Sequence, residues 1–320
     1  MCPKFCDIIR KFVTMEIDDL KNVTVGTKII LNYKGVEIPI FFWPAAKQSN
    51  AVIFTFHGSV NRKERVVPVF GPIFSELITD AHQVAIFDIS LFRHDATRVA
   101  WYAGHDELDL QSLLKEVFQQ ISQVLECTRK IYFGSSGGGF AALFYSWHDK
   151  GSIAISANPQ IILEAYYEKY TDQFLKNHWP NKKSFSDLDA QITTDLTRLY
   201  KTKASNTVLY IQNGTDRHHV CRHMTAFMVA TAKSGSDIIY KSDFWGAFGH
   251  SAPPKDVLLS WLQAAIHSDT TTPNDIILKN HEAVNAQNTI NNTEKTSLQK
   301  KTMSGDDINT ANAIAKWSLS

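Results

Sequence analysis

Apolar and polar positions along residues 23–268 follow the pattern of strands separated by helices. Apolar runs at 51–58, 83–90 and 130–134 are rich in β-branched and aromatic residues and end at glycine or polar residues. Such runs are typical of strands buried on both faces. Runs of the same kind follow at 152–159, 206–214 and 236–244. Residues 106–126 predict a helix, because their apolar positions recur at helical spacing behind acidic residues.

Three further segments complete the predicted architecture. Residues 23–44 contain two β-rich runs around a turn at 32–35, which predicts an antiparallel hairpin. Residues 138–149 and 253–268 predict helices, the second opened by prolines. A hairpin followed by alternating strands and helices predicts an α/β fold, with a mostly parallel central sheet and helices on both faces. Ligands of such sheets bind beyond the carboxyl ends of the strands.

The chain divides into a core domain and three additions. Residues 23–268 form the core, and residues 1–22 precede it as an N-terminal extension. Residues 161–205 interrupt the alternation of strands and helices, and we interpret them as a helical lid insertion. Residues 269–320 are rich in Asn, Thr, Ser and Lys, which predicts a polar, flexible C-terminal tail.

Composition narrows the class of protein without naming an activity. The 320 residues are 44% hydrophobic with a formal net charge of +1, so no global basic field favours nucleic acid as a partner. The four cysteines form no CxxC pair, which indicates a reducing compartment and no zinc site. Charges interrupt the N-terminal residues, and no apolar run is long enough to span a membrane. We therefore expect a cytoplasmic protein without a transmembrane segment.

The glycine-rich stretch at 130–149 is the first sign of chemistry. A phosphate-binding loop would need a lysine after the glycines, and the GxGxxG spacing of a dinucleotide site does not fit. Gly134, Ser136 and Gly138 fit GxSxG between a strand and a helix, which is the pattern of a nucleophile elbow. Ser135 would need glycine at position 133, which holds Phe133. Ser136 is therefore the predicted nucleophile.

A serine nucleophile needs a histidine base and an acid that orients it. In the elbow architecture the chain order is Ser, acid, His. Asp216 follows the strand at 206–214, and His250 lies in a glycine-bracketed loop before the last predicted helix. Either residue alone reads equally well as a turn or surface residue, but their order and position fit Ser136. Asp243 is the reserve acid.

The predicted oxyanion hole lies between two loops. One backbone donor is the amide of Gly137, directly after the nucleophile. The second is the amide of Ser59, with Gly58 allowing a close approach, because this loop follows the strand at 51–58. A plain strand-to-helix turn is the alternative interpretation of this loop.

Substrate contacts are predicted from residues at the same edge of the sheet and in the insertion. The residues are Arg62, Asn158, Gln160, Trp179 and His219. Further aromatic and cationic candidates are Tyr166, Tyr167, Tyr170, Lys63, Arg65, Lys182 and Lys183. Aromatic side chains would stack on sugars and cations would bind phosphates. Ordinary packing and a solvated charged face remain open as alternatives, and no set of converging metal ligands is predicted.

Four segments carry a resemblance to a known superfamily. "FTFHGSV", "YFGSSGGGFAAL", "IQNGTD" and "FGHSAPP" resemble the α/β-hydrolase superfamily over residues 23–268. "GSSGGGFAALFYS", "SANPQ" and "TDRHHV" are similar to bacterial capsule-biosynthesis proteins of this fold, in particular the capsule polysaccharide O-acetyltransferases of the meningococcal serogroup A type.

The resemblance implies an activity and its partners. It implies transfer of an acetyl group from acetyl-CoA to hydroxyls of a capsular polysaccharide, such as a sugar-phosphate polymer. Ser136 would carry the acetyl group, His250 would be the base and Asp216 would orient it. Acetyl-CoA is then a co-substrate rather than a bound cofactor, and capsule-assembly proteins at the inner membrane are expected partners.

Two other functions remain open at this point. A carbohydrate esterase, a deacetylase or another serine esterase would use the same three residues. A non-catalytic binding or scaffolding protein on the same fold is the third hypothesis, and the intact serine, acid and histidine argue against it.

Overall fold

The computed structural model describes residues 12–285, which fold around one nine-stranded sheet. The strands are β1 (Val13–Met15), β2 (Thr27–Tyr33), β3 (Val36–Trp43), β4 (Ala51–Phe56), β5 (His82–Ile86), β6 (Arg129–Ser135), β7 (Ile153–Ala157), β8 (Thr207–Asn213) and β9 (Asp237–Asp243). Their order in the sheet is β1-β2-β3-β5-β4-β6-β7-β8-β9. Within this sheet only β3 runs against its neighbours.

Helices connect the parallel strands and cover the sheet. They are α1 (Leu110–Val124), α2 (Gly137–Trp147), α3 (Glu168–His178), α4 (Leu196–Tyr200), α6 (Lys255–His267) and α7, which is helical over 273–285. α5 is a composite helix formed by Arg217–His219, a π-helical Val220–Met224 and Thr225–Thr231. The predicted fold class is confirmed: a mostly parallel sheet with an N-terminal antiparallel hairpin and flanking helices.

The sheet is buried on both faces at its centre, as its unbroken apolar runs predict. All residues of β4, β7 and β8 are buried. On one face the ring of Phe54 lies 4.7 Å from Phe118 of α1 and 5.2 Å from Tyr132. On the other face Phe133 contacts Phe74 at 6.0 Å. A sheet covered in this way holds the carboxyl ends of its strands in fixed positions at one edge.

Both predicted additions at the ends of the core contribute to the described fold. β1 pairs in parallel with β2, so residues of the N-terminal extension join the sheet. α7 lies within the predicted tail, and its Ile276 and Asn280 are buried, with Asn280 donating to Ser260 of α6 at 3.0 Å. Residues 269–285 are therefore docked on the domain, which corrects the prediction of a flexible tail for this part. The rest of the tail, 286–320, and residues 1–11 lie outside the described residues.

The insertion at 161–205 is helical and packs over one edge of the sheet. Asn177 of α3 donates to Thr97 at 3.0 Å, and Phe174 contacts Trp101 with ring centroids 5.2 Å apart. This placement brings the insertion against the loop that precedes α1. None of the helices within residues 12–285 has both the length and the apolar character needed to cross a membrane.

Candidate active site

Ser136 occupies a sharp turn between β6 and α2 that only a glycine-rich sequence allows. Its φ of 55° and ψ of −119° lie outside the regions that most residues adopt. A Cβ at Gly134 would stand 2.2 Å from the carbonyl oxygen of Gly138, and a Cβ at Gly138 would stand 2.4 Å from that of Phe56. Both glycines of the GxSxG pattern are thus sterically required, and the turn is the nucleophile elbow that the spacing predicts.

The hydroxyl of Ser136 is 8% exposed and has a defined partner. Its Oγ accepts a hydrogen bond of 3.0 Å from Nε2 of Gln160. The backbone carbonyl of Ser136 accepts from the amides of Gly139 at 3.0 Å and Gln160 at 3.2 Å. The amide of Gly137 lies in the first turn of α2, where no intrahelical carbonyl is available to it. It is therefore suited to bind negative charge beside Ser136.

The loop after β4 lies directly against the elbow. A Cβ at Gly58 would stand 3.2 Å from the carbonyl oxygen of Ser135 and 3.5 Å from Cβ of Ser136, so the backbone at Gly58 closely approaches the nucleophile. Ser59 follows with an exposed side chain and lines a cavity of about 390 Å³ that also contains Arg65 and Arg98. Gly58 and Gly137 therefore adjoin Ser136, and Ser59 follows Gly58 in the same loop.

His57, a buried neutral imidazole, holds the loop after β4 in place by hydrogen bonds. Its Nε2 accepts from the amide of Asp88 at 3.1 Å, so the proton resides on Nδ1, which donates to the carbonyl of Gly58 at 2.7 Å. Burial lowers the pKa of His57 to about 4, against a smaller upward effect of the Gly58 carbonyl. The amide of His57 donates to the hydroxyl of Tyr102 at 2.8 Å. His57 is thus a structural support for the predicted oxyanion loop.

Asp216 and His250 form the acid–histidine pair that the chain order predicts. Nδ1 of His250 donates to Oδ2 of Asp216 at 2.7 Å. The Asp216 side chain is 4% exposed and that of His250 is 41% exposed. The acid is therefore buried, whereas the imidazole is partly exposed.

His219 is a second imidazole on the same carboxylate. Its Nδ1 lies 2.8 Å from Oδ2 of Asp216, and its ring stacks on His250 with centroids 4.2 Å apart and an interplanar angle of 19°. Its side chain is 1% exposed, and burial lowers its pKa. Burial raises the pKa of Asp216, but the contacts from His219 and His250 outweigh it and hold that pKa well below its usual range. Asp216 is therefore an anion shared by two histidines.

Polar side chains at the ends of β7 and β8 hold the loop that carries His250. Nδ2 of Asn213 donates to the carbonyls of Ala247 at 3.0 Å and Gly249 at 2.9 Å. Nδ2 of Asn158 donates to the carbonyl of Ser251 at 2.8 Å. Sequence reasoning missed Asn213; its place directly before Gly214 at a strand end was the available signal.

A continuous series of contacts joins the elbow to the histidine pair. Ser136 accepts a hydrogen bond from Gln160, and the side chain of Gln160 also hydrogen-bonds to Tyr166. Burial raises the pKa of Tyr166 to about 12, and the bond with Gln160 opposes this shift. The ring of Tyr166, from the insertion, lies 6.0 Å from that of His219. His219 in turn stacks on His250. Within the described residues Ser136 Oγ is hydrogen-bonded to Gln160 and not to His250, so a single site formed by Ser136, Asp216 and His250 remains a prediction.

Two of the predicted substrate contacts, Arg62 and Trp179, have other roles in the structure. Arg62 donates to the carbonyl of Leu91 at 3.0 Å and pairs with Asp95 at 3.1 Å. Trp179 is 3% exposed and packs in the hydrophobic core, so its ring presents no face to a sugar. These placements correct the predictions for both residues, since a neighbouring partner or the core occupies each side chain.

Asn158 also serves the fold rather than a ligand. It has a left-handed φ of 45° and is 2% exposed. Its Oδ1 accepts from the amide of Asn213 at 2.7 Å and from Nε2 of Gln212 at 3.1 Å. With its Nδ2 bound to Ser251, its polar atoms are committed, which corrects its predicted role in substrate binding.

The reserve acid, Asp243, lies on the exposed side of β9. It pairs with Lys241 at 3.0 Å and accepts from the amide of Phe244 at 2.8 Å. The histidine loop is bound by Asp216 instead, so Asp243 is not needed as its partner.

Asp216, His219 and His250 are also close enough to be considered as metal ligands. The 2.7 Å contact of His250 is a hydrogen bond, and the 2.8 Å contact of His219 is an ion-pair distance without hydrogen-bond geometry, whereas two ligands of a tetrahedral ion bound at about 2.1 Å would lie roughly 3.4 Å apart. The donor set therefore fits an acid with two imidazole partners better than it fits a resident metal ion.

Comparisons with known proteins agree with this architecture. Neither a protein-family model nor a curated protein sequence matches the chain. The solved capsule O-acetyltransferase of Neisseria meningitidis serogroup A superimposes with a TM-score of 0.52 at 19% identity, over 72% of this chain and 92% of that one. A mutant of that enzyme in complex with CoA gives a TM-score of 0.53 at 19% identity, over 72% and 93%. An S-formylglutathione hydrolase from Agrobacterium tumefaciens gives 0.51 at 13% identity, over 72% and 90%.

Identity at this level shows the fold and nothing finer. The same conclusion follows from the sheet order, from the elbow at Ser136, and from an acid and a histidine after β8 and β9. The chain has the α/β-hydrolase fold.

Proposed function

We propose that the protein is an O-acetyltransferase that moves an acetyl group from acetyl-CoA to a sugar hydroxyl of a capsular polysaccharide through an acyl-enzyme on Ser136. The observation that carries this proposal is the strained elbow, which presents Ser136 beside Gly58 and Gly137, in a fold that also holds a hydrogen-bonded His250–Asp216 pair after the later strands. In this proposal Ser136 is the nucleophile, His250 the base, Asp216 the orienting acid, and the backbone amides after the nucleophile and after β4 are the donors that acyl transfer requires.

In the first half-reaction Oγ of Ser136 attacks the thioester carbonyl carbon. The hydroxyl proton passes to Nε2 of His250, and the carbonyl electrons move onto oxygen, where the amides of Gly137 and Ser59 stabilise the negative charge. The tetrahedral intermediate then collapses and the C–S bond breaks. The sulfur takes the proton from His250 and leaves as CoA thiol, with the acetyl group on Ser136.

In the second half-reaction a sugar hydroxyl attacks the acetyl-enzyme. His250 accepts the hydroxyl proton, the new ester bond forms, and the proton returns to Oγ of Ser136 as the acyl bond to the enzyme breaks. Asp216 holds the imidazole with Nδ1 protonated throughout, so that Nε2 remains the proton acceptor.

The cavity beside Ser59 supports a charged acyl donor or acceptor. It measures about 390 Å³ and includes Arg65 and Arg98, which suit phosphate oxygens of CoA or of a sugar-phosphate polymer. The CoA complex of the structurally similar capsule enzyme also supports acetyl-CoA as donor. We further propose that the reaction takes place in the cytoplasm, with acetyl-CoA as co-substrate rather than as a bound cofactor, and with capsule-assembly proteins as partners.

Hydrolysis is the second candidate, as in a carbohydrate esterase or deacetylase. The half-exposed His250 favours it, because water has access to the base from the same side as a sugar hydroxyl. The S-formylglutathione hydrolase with the same fold is a hydrolase with comparable coverage.

A product assay separates the two candidates. The purified protein is incubated with acetyl-CoA and a panel of capsular polysaccharides, and the polymers are then examined by NMR for O-acetylated sugars. We expect acetyl esters on one polymer and stoichiometric release of CoA thiol, with both signals absent for Ser136→Ala. Free acetate in place of acetylated polymer across the whole panel would establish hydrolysis and rule out transfer.

A further inference from the structure

The side-chain amide of Gln160 lies against the reacting oxygen of the elbow. Its Nε2 is 3.0 Å from Oγ of Ser136, and Gln160 is fully buried. A Cβ at Gly137 would stand 2.6 Å from Val99 and 3.6 Å from Oε1 of Gln160, so the glycine after the nucleophile leaves room for Val99 beside Gln160.

The orientation of the amide follows from its second partner. Nε1 of Trp101 hydrogen-bonds to Oε1 of Gln160. An indole nitrogen is only a donor, so the oxygen of the amide must face Trp101 and the nitrogen must face Ser136. Ser136 Oγ is therefore the acceptor of an N–H group, and its own single hydrogen is left to be donated elsewhere.

Trp101 is itself held in an unusual backbone conformation. Its φ of 55° and the φ of 56° at Tyr102 are both left-handed. The Tyr102 amide donates to Oδ2 of Asp88 at 2.8 Å, and the Tyr102 carbonyl accepts from the hydroxyl of Tyr145 at 3.0 Å. Non-glycine residues in this region cost free energy and persist only where the surroundings enforce them. The indole that aims Gln160 is thus rigidly placed.

We propose that Gln160 is a further catalytic residue, which donates Nε2–H to Ser136 Oγ and stabilises the negative charge that develops on this atom. The inference rests on the proposed role of Ser136 as nucleophile. As the proton of Oγ passes to His250, negative charge builds on Oγ before its bond to the acyl carbon is complete, and the hydrogen bond from Gln160 strengthens at that stage while Gln160 keeps both of its hydrogens. When the acyl group later leaves, the same N–H stabilises Oγ as the leaving oxygen.

The rate of covalent labelling by a fluorophosphonate tests this role directly. The reagent reacts with Oγ of an activated serine, so its second-order rate constant reports the reactivity of that atom. Gln160→Met has a similar volume and no N–H donor. We expect it to label about 10²-fold more slowly, as is typical for loss of one charge-stabilising donor.

Gln83→Met is the matched control. Gln83 is also fully buried and also uses both ends of its amide, accepting from Phe74 at 2.7 Å and donating to Ile78 at 2.9 Å. It lies near the start of β5, whereas the site lies beyond the strands' carboxyl ends. We expect a stability loss of the same kind with a labelling rate close to that of the wild type.

The double variant Gln160→Met/Trp101→Phe separates chemistry from folding. Removing both partners of a buried hydrogen bond is much less damaging than removing one. We expect the double variant to regain thermal stability relative to Gln160→Met while its labelling remains about 10²-fold slow.

The outcomes distinguish this inference from the function on which it rests. Wild-type labelling at a residue other than Ser136 would overturn both. Labelling of Ser136 at equal or higher rates in Gln160→Met, or recovery of the rate together with stability in the double variant, would overturn the role of Gln160 alone.

Discussion

The two halves of the candidate site are positioned by different physical means. At the elbow, backbone contacts define the geometry: Gly138 packs against the carbonyl of Phe56, and Ser136 is buried. The loop that carries His250 is far more exposed. Its Phe248 is 86% exposed. Gly246 and Gly249 have left-handed φ values of 77° and 80°, which helices and strands do not contain.

The two parts of the site are therefore held with different rigidity. The nucleophile is fixed by sterics that tolerate no added atom, so it is as rigid as the sheet. The histidine loop is fixed by hydrogen bonds from Asn213 and Asn158, which are directional yet less restrictive. In the proposed mechanism His250 exchanges protons with Ser136, with a leaving group and with an acceptor. Support by hydrogen bonds leaves it free to make the small movements that these exchanges need. Substitutions at the elbow should therefore damage the fold, and substitutions under the histidine loop should mainly damage activity.

The largest effect is expected from Gly138→Ala. Its Cβ would stand 2.4 Å from the carbonyl oxygen of Phe56 and 2.8 Å from that of His57, both backbone atoms of the adjoining strand and loop. We expect the free energy of unfolding to fall by about 3 kcal/mol or more, as for severe overpacking. Urea denaturation measures it.

Gly214→Ala is the matched control for that comparison. Its Cβ would come no closer than 3.3 Å, to a serine hydroxyl that is able to rotate. We expect a change below about 1 kcal/mol, typical of a tolerated site. Equal stabilities for the two variants would contradict the steric account of the elbow.

A second, smaller effect is expected from Asn213→Ala under the histidine loop. It removes the hydrogen bonds to Ala247 and Gly249 and leaves the elbow intact. A shift of about 1 Å in a catalytic group reduces rates by roughly 10²-fold, and we expect a loss of this size in fluorophosphonate labelling. A wild-type labelling rate in a folded Asn213→Ala protein would show that the loop is held by other contacts.

The smallest effect concerns pH and a buried histidine within α5. His223 is fully buried, its Nδ1 accepts from the amide of Ile161 at 3.2 Å, and burial, aided by His219 and His218, lowers its pKa to about 3. The unfolded chain binds this proton near pH 6.5 and the folded chain does not, so stability falls as pH drops from 6.5 toward 3. Each such histidine contributes up to about 1.4 kcal/mol per pH unit.

His223→Asn isolates that contribution. The Asn Oδ1 is able to accept from Ile161 but takes up no proton. We measure the free energy of unfolding in urea between pH 7 and 5. We expect it to decline less steeply with falling pH in His223→Asn than in the wild type, with the two slopes differing by the uptake of about one proton on unfolding. Equal slopes of unfolding free energy against pH for the two proteins would contradict the assignment of a neutral buried His223.

The sequence predicted those features that follow from local pattern and chain order. Apolar runs identified the strands from β2 to β9, and the glycine spacing identified the elbow at Ser136. The chain order placed Asp216 and His250 as partners, which the structure shows hydrogen-bonded. Such features are encoded in residue type and spacing within one segment.

Features that depend on partners distant in the chain were not predictable in this way. Trp179 and Arg62 carried the right chemistry for ligand contacts, but the core and Leu91 occupy them. His219 was expected to line the pocket, and nothing in its spacing showed that it would stack on His250 and share Asp216. Such relations arise only when the insertion and α5 pack together over the sheet.

The most direct test of the central claim is to identify the residue that a fluorophosphonate modifies, by peptide mass spectrometry, and to compare labelling rates. The account predicts an adduct on Ser136, no labelling of Ser136→Ala, a loss of about 10⁴-fold in His250→Ala, and a loss within about tenfold in His219→Phe, which keeps the stacked ring. An adduct on another residue, persistent labelling of Ser136→Ala, or a larger loss in His219→Phe than in His250→Ala would contradict it.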